Sequence, residues 1–361
     1  MIRPTGVTLG ISLAAAAAVC AGLGVYWWYG AGSAGEQPQV PVLGDPPKDP
    51  PKKSGFAADT VPAPAADVKF DSDRAMKYLK QLCDIGPRVS GTDGMRKQQE
   101  LLEKHFKEHG ATVTRQEFRA TQRSRPNNPV AMTNLVVSWH PDRQRRVLLS
   151  AHYDTRPVAD EEPNRNSWTR PFLSANDGAS AAAMFMELAH HMKDLKTEFG
   201  IDFVLFDGEE YVFDTHRTGT GLDRYFLGSE HFADEYAKAG AKRGYRYEAG
   251  ILFDLCHAKG AKLKLEANSV RLAPQVVAQV WKVAEGLGAK SFVPERGFLR
   301  DGGDGVLDDH LALNRAGIPT IDVIDFDYRY WHTLADTPDK IDPAQVAEVA
   351  KVATTWLQTI R

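Results

Sequence analysis

Four apolar runs in this chain each end in groups that can bind a metal or move a proton. "RVLLSA" is followed by "HYDT", which supplies His152 and Asp154, and "IDFVLF" by "DGEE", which supplies Asp207, Glu209 and Glu210. "GILF" runs into Asp254, and "PTIDVI" leads on to "DFDYRYWHT", with Trp331 and His332. A fifth stretch, "SANDGASAAAMFMELA", sets Asp177 where a turn becomes a helix. Taken singly, each is weak. A His after a strand is usually a surface residue, two adjacent acids are usually solvated, and an Asp before a helix is usually its N-cap. Together they offer the nitrogen and oxygen ligands that zinc accepts without any cysteine, and more than the three a catalytic zinc needs beside its open position. The double acid has a use of its own. A glutamate bound to metal has its lone pairs committed, whereas the neighbouring one can stay unbound and carry protons. Asp177 can both cap its helix and bind metal.

The elements that must position these groups follow from periodicity. Residues 71–85 and 95–109 read as amphipathic helices, separated by the Gly/Pro-rich "IGPRVSGTDG". Short β-prone runs follow at "TVTRQEF", "TNLVVSW" and "RVLLSA". Helix and strand then alternate: helix 178–193, strand "IDFVLF", helix 228–238, strand "GILFDL", helix 273–286, strand "PTIDVI" and helix 343–359. Uninterrupted apolar runs suit strands covered on both faces. The pattern predicts a three-layer α/β sandwich, with a mostly parallel central mixed sheet flanked by helices, in which ligands collect at the carboxyl ends of the strands.

With 361 residues, 43% hydrophobic and 25% charged, the chain can bury a sizeable core. A net charge of -3 gives no reason to expect nucleic acid as a partner. Residues 7–29 carry no charge and end in an aromatic cluster, Tyr26 to Tyr29, as at a membrane interface. The expectation is an uncleaved anchor over residues 1–30, with a cleaved secretory signal as the alternative. Either places the rest outside the cytoplasm, in the periplasm or the extracellular space. Residues 31–66, rich in Pro, Gly and Ala, read as an extended tether, and 67–361 as one catalytic domain. Of three cysteines, Cys20 lies in the leader; Cys83 and Cys256 can pair in an oxidising compartment, although two buried free thiols are the favoured reading.

The motifs "AHYDT", "NDGAS", "FDGEE" and "WHTLADT", in this order after "IGPRVSG", resemble the zinc exopeptidase family that includes bacterial aminopeptidases and glutaminyl cyclases. The resemblance implies metal ligands at His152, Asp177, Glu210, Asp254 and His332, with Glu209 as the base. Aminopeptidases of the family use all five for two zinc ions. Cyclases usually hold one zinc, at positions matching Asp177, Glu210 and His332, so His152 and Asp254 form a possible second site.

Three features tilt toward the bacterial cyclase-like branch. Trp331 precedes the last ligand, as in cyclases; "DDH" at 308–310 resembles the cyclase form of a motif, which implies that Asp308 joins an acidic hydrogen-bond chain with Asp254; and "YVFDTHRTGTGLDRYF" forms a long insert after "DGEE", as in cyclases. Trp331 can instead pack on the core, and Asp308 can cap the following helix. Asp322 departs from the animal cyclases, which carry a His there. The expected activity is conversion of an N-terminal Gln of peptides or proteins to pyroglutamate with loss of ammonia, using Glu209, Asp254 and Asp308 for proton transfer and Trp331 as a pocket wall. The alternative is a dizinc aminopeptidase. A metal-free binding domain of the same fold is a third reading; its mark would be a missing ligand, and none is missing.

Overall fold

A computed structural model describes residues 68–215, 217–297 and 305–360. The chain divides into two units, Met1–Lys52 and Lys53–Arg361, and all described residues belong to the second. The leader 1–30 and the tether 31–66 lie outside the described residues. Among those described, no helix is long and apolar enough to cross a membrane.

Two helices come first, α1 (Ser72–Asp84) and α2 (Asp93–Glu108), each N-capped by a side chain, Asp71 and Thr92. β1 (Thr112–Ala120), β2 (Val130–Trp139) and β3 (Arg145–His152) follow. Then come α3 (Ser180–Met192), β4 (Gly200–Phe206), α4 (Leu227–Ala239) and β5 (Arg246–Asp254). The last third holds β6 (Leu263–Glu266), α5 (Ala267–Leu272), α6 (Pro274–Leu287), β7 (Phe292–Gly297), α7 (His310–Arg315), β8 (Thr320–Ile324) and α8 (Pro343–Thr359).

The main sheet has six strands in the order β1-β2-β4-β3-β5-β8. β1 and β2 pair antiparallel, as do β2 and β4, while β3 is parallel to both β4 and β5, and β5 to β8. Every residue of β4 is buried, which matches its unbroken apolar run. Alternate side chains serve opposite faces: Leu149, Phe203 and Phe253 pack with α1, α2, α3, α6 and α8, whereas Leu148, Val204 and Leu252 pack with α4 and α7. From β3 the chain crosses to β4 on one flank, and from β5 to β8 on the other. A crevice therefore opens at the carboxyl ends of the parallel strands. The expected α/β sandwich is thus the observed one. It carries in addition a two-stranded parallel sheet, β6 with β7, which periodicity had not marked.

Glu187 on α3 ties the first helix to the core. Its carboxylate accepts Arg74 Nε at 2.5 Å, Arg74 Nη2 at 2.7 Å and the Asp71 amide at 3.0 Å. Burial opposes its charge, but His191, Arg74 and the Asp71 amide outweigh it and bring the carboxyl down to about 2. A depressed pKa contributes stability above the unfolded value near 4.5, and that contribution is lost as pH falls toward about 2. Thermal melts across this window are expected to show a steeper acid loss for the native chain than for Glu187→Gln.

Candidate metal centre and active site

Asp177 lies in a tight turn, Ala175–Ala179, where its backbone is extended (φ -86°, ψ 92°) and Gly178 turns left-handed at φ 88°. A Cβ on Gly178 would stand 3.0 Å from both His152 Cε1 and the Asp154 carbonyl, so only glycine lets the turn press this close to β3. The side chain of Asp177 does not cap α3: no side-chain cap is present there, and the helix begins two residues later than the periodicity predicts. The reason is tertiary. The Asp336 carboxylate accepts the Asn176 amide at 2.9 Å and the Asp177 amide at 3.2 Å, and Tyr328 donates to Asp336 at 2.7 Å. Held by its backbone, Asp177 turns its carboxylate into the crevice.

There it stands between two histidines. His152 Nε2 is 3.0 Å from Asp177 Oδ1 and 3.4 Å from Asp254 Oδ1, and His332 Nε2 is 3.6 Å from Asp177 Oδ2 and in contact with Glu210 Oε1. All five predicted ligands thus meet at the ends of β3, β4, β5 and β8, in two half-sites that share Asp177. One ligand atom each from His152, Asp177 and Glu210 lie within 4.8 Å of one another.

The donor set fits a cation. Asp177 Oδ2, Glu210 Oε2 and Asp254 Oδ1 are buried without a hydrogen-bond partner among the described residues. His332 Nδ1 lies 3.2 Å from Asp160 Oδ1, which fixes its other nitrogen as the one facing Asp177 and Glu210. Converging acceptors of this kind need a positive centre between them, and oxygen with imidazole nitrogen suits zinc. Asp160 is itself anchored by Arg156, at 2.8 Å and 3.1 Å. His332 holds φ at 51°, a conformation costing a non-glycine residue about 1–3 kcal/mol, which the surrounding bonds over-determine.

Asp154 sets the double acid. Its two oxygens accept the Glu209 amide at 3.2 Å and the Glu210 amide at 3.1 Å, so the consecutive side chains part in fixed directions. Glu210 goes to His332. Glu209 goes to the rim near His152 Nδ1, 3.8 Å away, with 11% of its side chain exposed. Burial, Glu210 and the acids at 308 and 309 push the Glu209 carboxyl well up, while His152 opposes them. Burial and Asp254 raise Asp308 to about 7. Burial raises Asp254 too, against the pull of His152. Asp308 acts on Asp254 through charge, and no hydrogen bond joins the two among the described residues; Asp322 stands close by, with an oxygen within 4.8 Å of one of Asp308, and burial and Asp308 raise its carboxyl. The side chain of Asp308 does not cap α7; it accepts the Asp309 amide at 2.6 Å. The Trp331 ring lies over His332, centroids 3.8 Å apart, and also meets Phe326 at 5.0 Å. Trp331 is half-buried: it packs against the apolar cluster of Leu255, Val306, Ile324 and Tyr328 while its ring covers His332.

Residues 134–357 match peptidase family M28. The chain belongs to that family. Within M28, it is 54% identical to the glutaminyl cyclase of Fimbriiglobus ruber, covering 83% of this chain and 98% of that one at a TM-score of 0.80. A leucine aminopeptidase precursor from Bacteroides thetaiotaomicron is 31% identical, covering 84% of this chain and 99% of that one at a TM-score of 0.73. The glutaminyl-peptide cyclotransferase of Bos taurus is 24% identical over 245 residues, 62% of this chain and 64% of its own length. The match thus spans under two thirds of that curated relative.

Arg156, Asp160 and Asp336 escaped the sequence reading, and Asp154 was seen only as part of "HYDT". Asp160 and Arg156 stand in a polar loop with no periodic signal; Asp336 belongs to "WHTLADT", whose final acid was quoted but given no task. Asp207 lies behind the site, bonded to Ser90 at 2.6 Å and to the Thr133 amide at 2.8 Å. Because Asp160 orients His332, Asp160→Asn is expected to weaken zinc binding about 10- to 100-fold, as measured by competition with a chelator.

Proposed function

We propose that this M28 member is a glutaminyl cyclase, converting an N-terminal Gln of peptides to pyroglutamate. The observation that carries the reading is the 54% identity across nearly all of the Fimbriiglobus ruber glutaminyl cyclase. Glu209 and Trp331 add geometric support, since one faces the rim unbound and the other walls the metal cluster.

Asp177, Glu210 and His332 would hold zinc, which when bound supplies a Lewis acid for the side-chain amide oxygen of the substrate. Glu209 takes a proton from the peptide's α-amine as that nitrogen bonds to the amide carbon, then returns it to the departing nitrogen. The carbon–nitrogen bond of the side chain breaks and ammonia leaves. Attacking and attacked groups sit on one residue, so holding them in register replaces an encounter with an orientation, worth several kcal/mol. Trp331, braced on His332 and Phe326, keeps the glutamine chain folded toward Glu209. Asp254 and Asp308 back Glu209 in moving the proton.

The five-ligand cluster favours a second reading, a dizinc aminopeptidase, because Asp177 touches the histidine of each half-site. One experiment separates the two. A Gln-initiated peptide incubated with the zinc-loaded protein is expected to lose the mass of one ammonia; release of a free amino acid would establish the peptidase instead. We further propose one zinc per chain and a catalytic domain outside the cytoplasm, tethered through the apolar segment 7–29. Elemental analysis and protease access to intact cells test these in turn.

A further inference from the structure

α2 and α3 bring together three histidines that the catalytic centre does not use. His105 and His109 lie at the end of α2 and just beyond it, while His190 is ten residues into α3, about 15 Å along the helix from Ser180. The His109 ring centroid is 4.3 Å from that of His105 and 4.0 Å from that of His190, and His105 and His190 stand 5.8 Å apart. One nitrogen from each ring lies within 4.8 Å of one from each of the others.

One nitrogen of each ring is already engaged. His105 Nε2 donates to the Met186 carbonyl at 2.8 Å, and His109 Nδ1 to the His105 carbonyl at 2.8 Å. A bond to a carbonyl fixes the proton on the bonded nitrogen, which leaves a lone pair on His105 Nδ1 and on His109 Nε2. His190 Nε2 shares a 2.8 Å bond with the Tyr78 hydroxyl, and when Nε2 is the donor the lone pair lies on Nδ1. Rings oriented from behind in this way, with the other nitrogen unengaged, are the arrangement found behind metal-bound imidazoles. Burial lowers the His105 pKa, and burial together with His109 takes His190 down to about 4, so these two rings are neutral near pH 7. No proton then competes with a metal for them. His109 and His190 are half-exposed, which gives an ion a way in.

We propose that His105, His109 and His190 form a second metal site, distinct from the catalytic cluster, which takes a divalent first-row ion such as zinc or copper and pins α2 to α3. Three imidazoles without a carboxylate or thiolate suit such ions and are a poor match for magnesium or calcium. The proposal does not depend on which reaction the catalytic centre performs.

The test compares zinc-saturated wild-type protein with His109→Gln/His190→Gln, which keeps both positions polar. After dialysis against Zn²⁺, the wild type is expected to carry one equivalent more than the variant, with peptide turnover equal in the two. Cu²⁺ added to the zinc-loaded protein is expected to give an electron paramagnetic resonance spectrum split by ring nitrogens, absent in the variant. Equal metal content in both proteins, or a copper spectrum the double substitution leaves unchanged, overturns the site. Circular dichroism that matches wild type confirms that the variant is folded. If it is not, His190→Gln alone must lower copper affinity at least about tenfold, and unchanged affinity overturns the proposal.

Discussion

Glu209→Gln is expected to cut kcat by about 10²- to 10⁴-fold while zinc content stays near that of wild type. The substitution keeps shape and burial and removes only the proton-carrying oxygen. Among the described residues the Glu209 carboxylate has only the 3.8 Å approach to His152 Nδ1, whereas its backbone amide is held by Asp154. KM should move little, because in the proposed mechanism Trp331 and the residues around Asp177 bind the substrate and Glu209 only moves the proton. A variant that loses its zinc would show Glu209 to be a ligand and shift the proton carrier elsewhere.

The second large effect is expected from Asp177→Ala. This carboxylate faces the histidine of each half-site, so its loss disrupts both at once. Zinc content should fall below one equivalent under mild chelation, and turnover by at least about a thousandfold, the rate equivalent of the several kcal/mol that a Lewis acid contributes. His152→Ala separates the two metal counts. If one zinc suffices, held by Asp177, Glu210 and His332, the His152 variant keeps that ion and a measurable rate, whereas a two-zinc peptidase loses half its metal. Elemental analysis beside initial rates reads both outcomes.

Most parts of this site that the sequence revealed share one property. His152, Glu209, Glu210 and Asp254 each follow an apolar run, and a charge at the end of a buried strand stands out against its neighbours; His332, eight residues past β8, was legible only through "WHTLADT". Asp160 has no such background, because it sits among other acids in "ADEEPNRNSW", and only the folded loop brings it to His332 Nδ1. Asp336 is hidden for a related reason: its partners, the amides of Asn176 and Asp177, lie about 160 residues earlier. That long-range bond also explains the misread cap. An Asp ahead of a helix is a strong local signal, but here a second carboxylate claims the backbone and frees the first. In the fold, strands with continuous apolar sequence were legible, while β6, four residues long, and β7, which contains Pro294, were not.

The insert after "DGEE" is braced at both ends on the groups that orient His332: the Thr215 hydroxyl donates to Asp160 at 3.3 Å, and Arg156 donates to the Tyr225 hydroxyl at 2.9 Å. Asp223 gathers the amides of Phe213 and Asp214 and the hydroxyl of Ser124, and the stretch closes where Phe226 bonds back to the Glu209 carbonyl at 3.0 Å. Its tip is therefore best rewritten between Gly219 and Leu222, with Thr215, Arg217 and Tyr225 kept so that their contacts to Asp160, Glu161 and Arg156 survive. Altered preference for the residues downstream of an N-terminal glutamine is most readily sought there, by exchanging loop tips between otherwise identical enzymes.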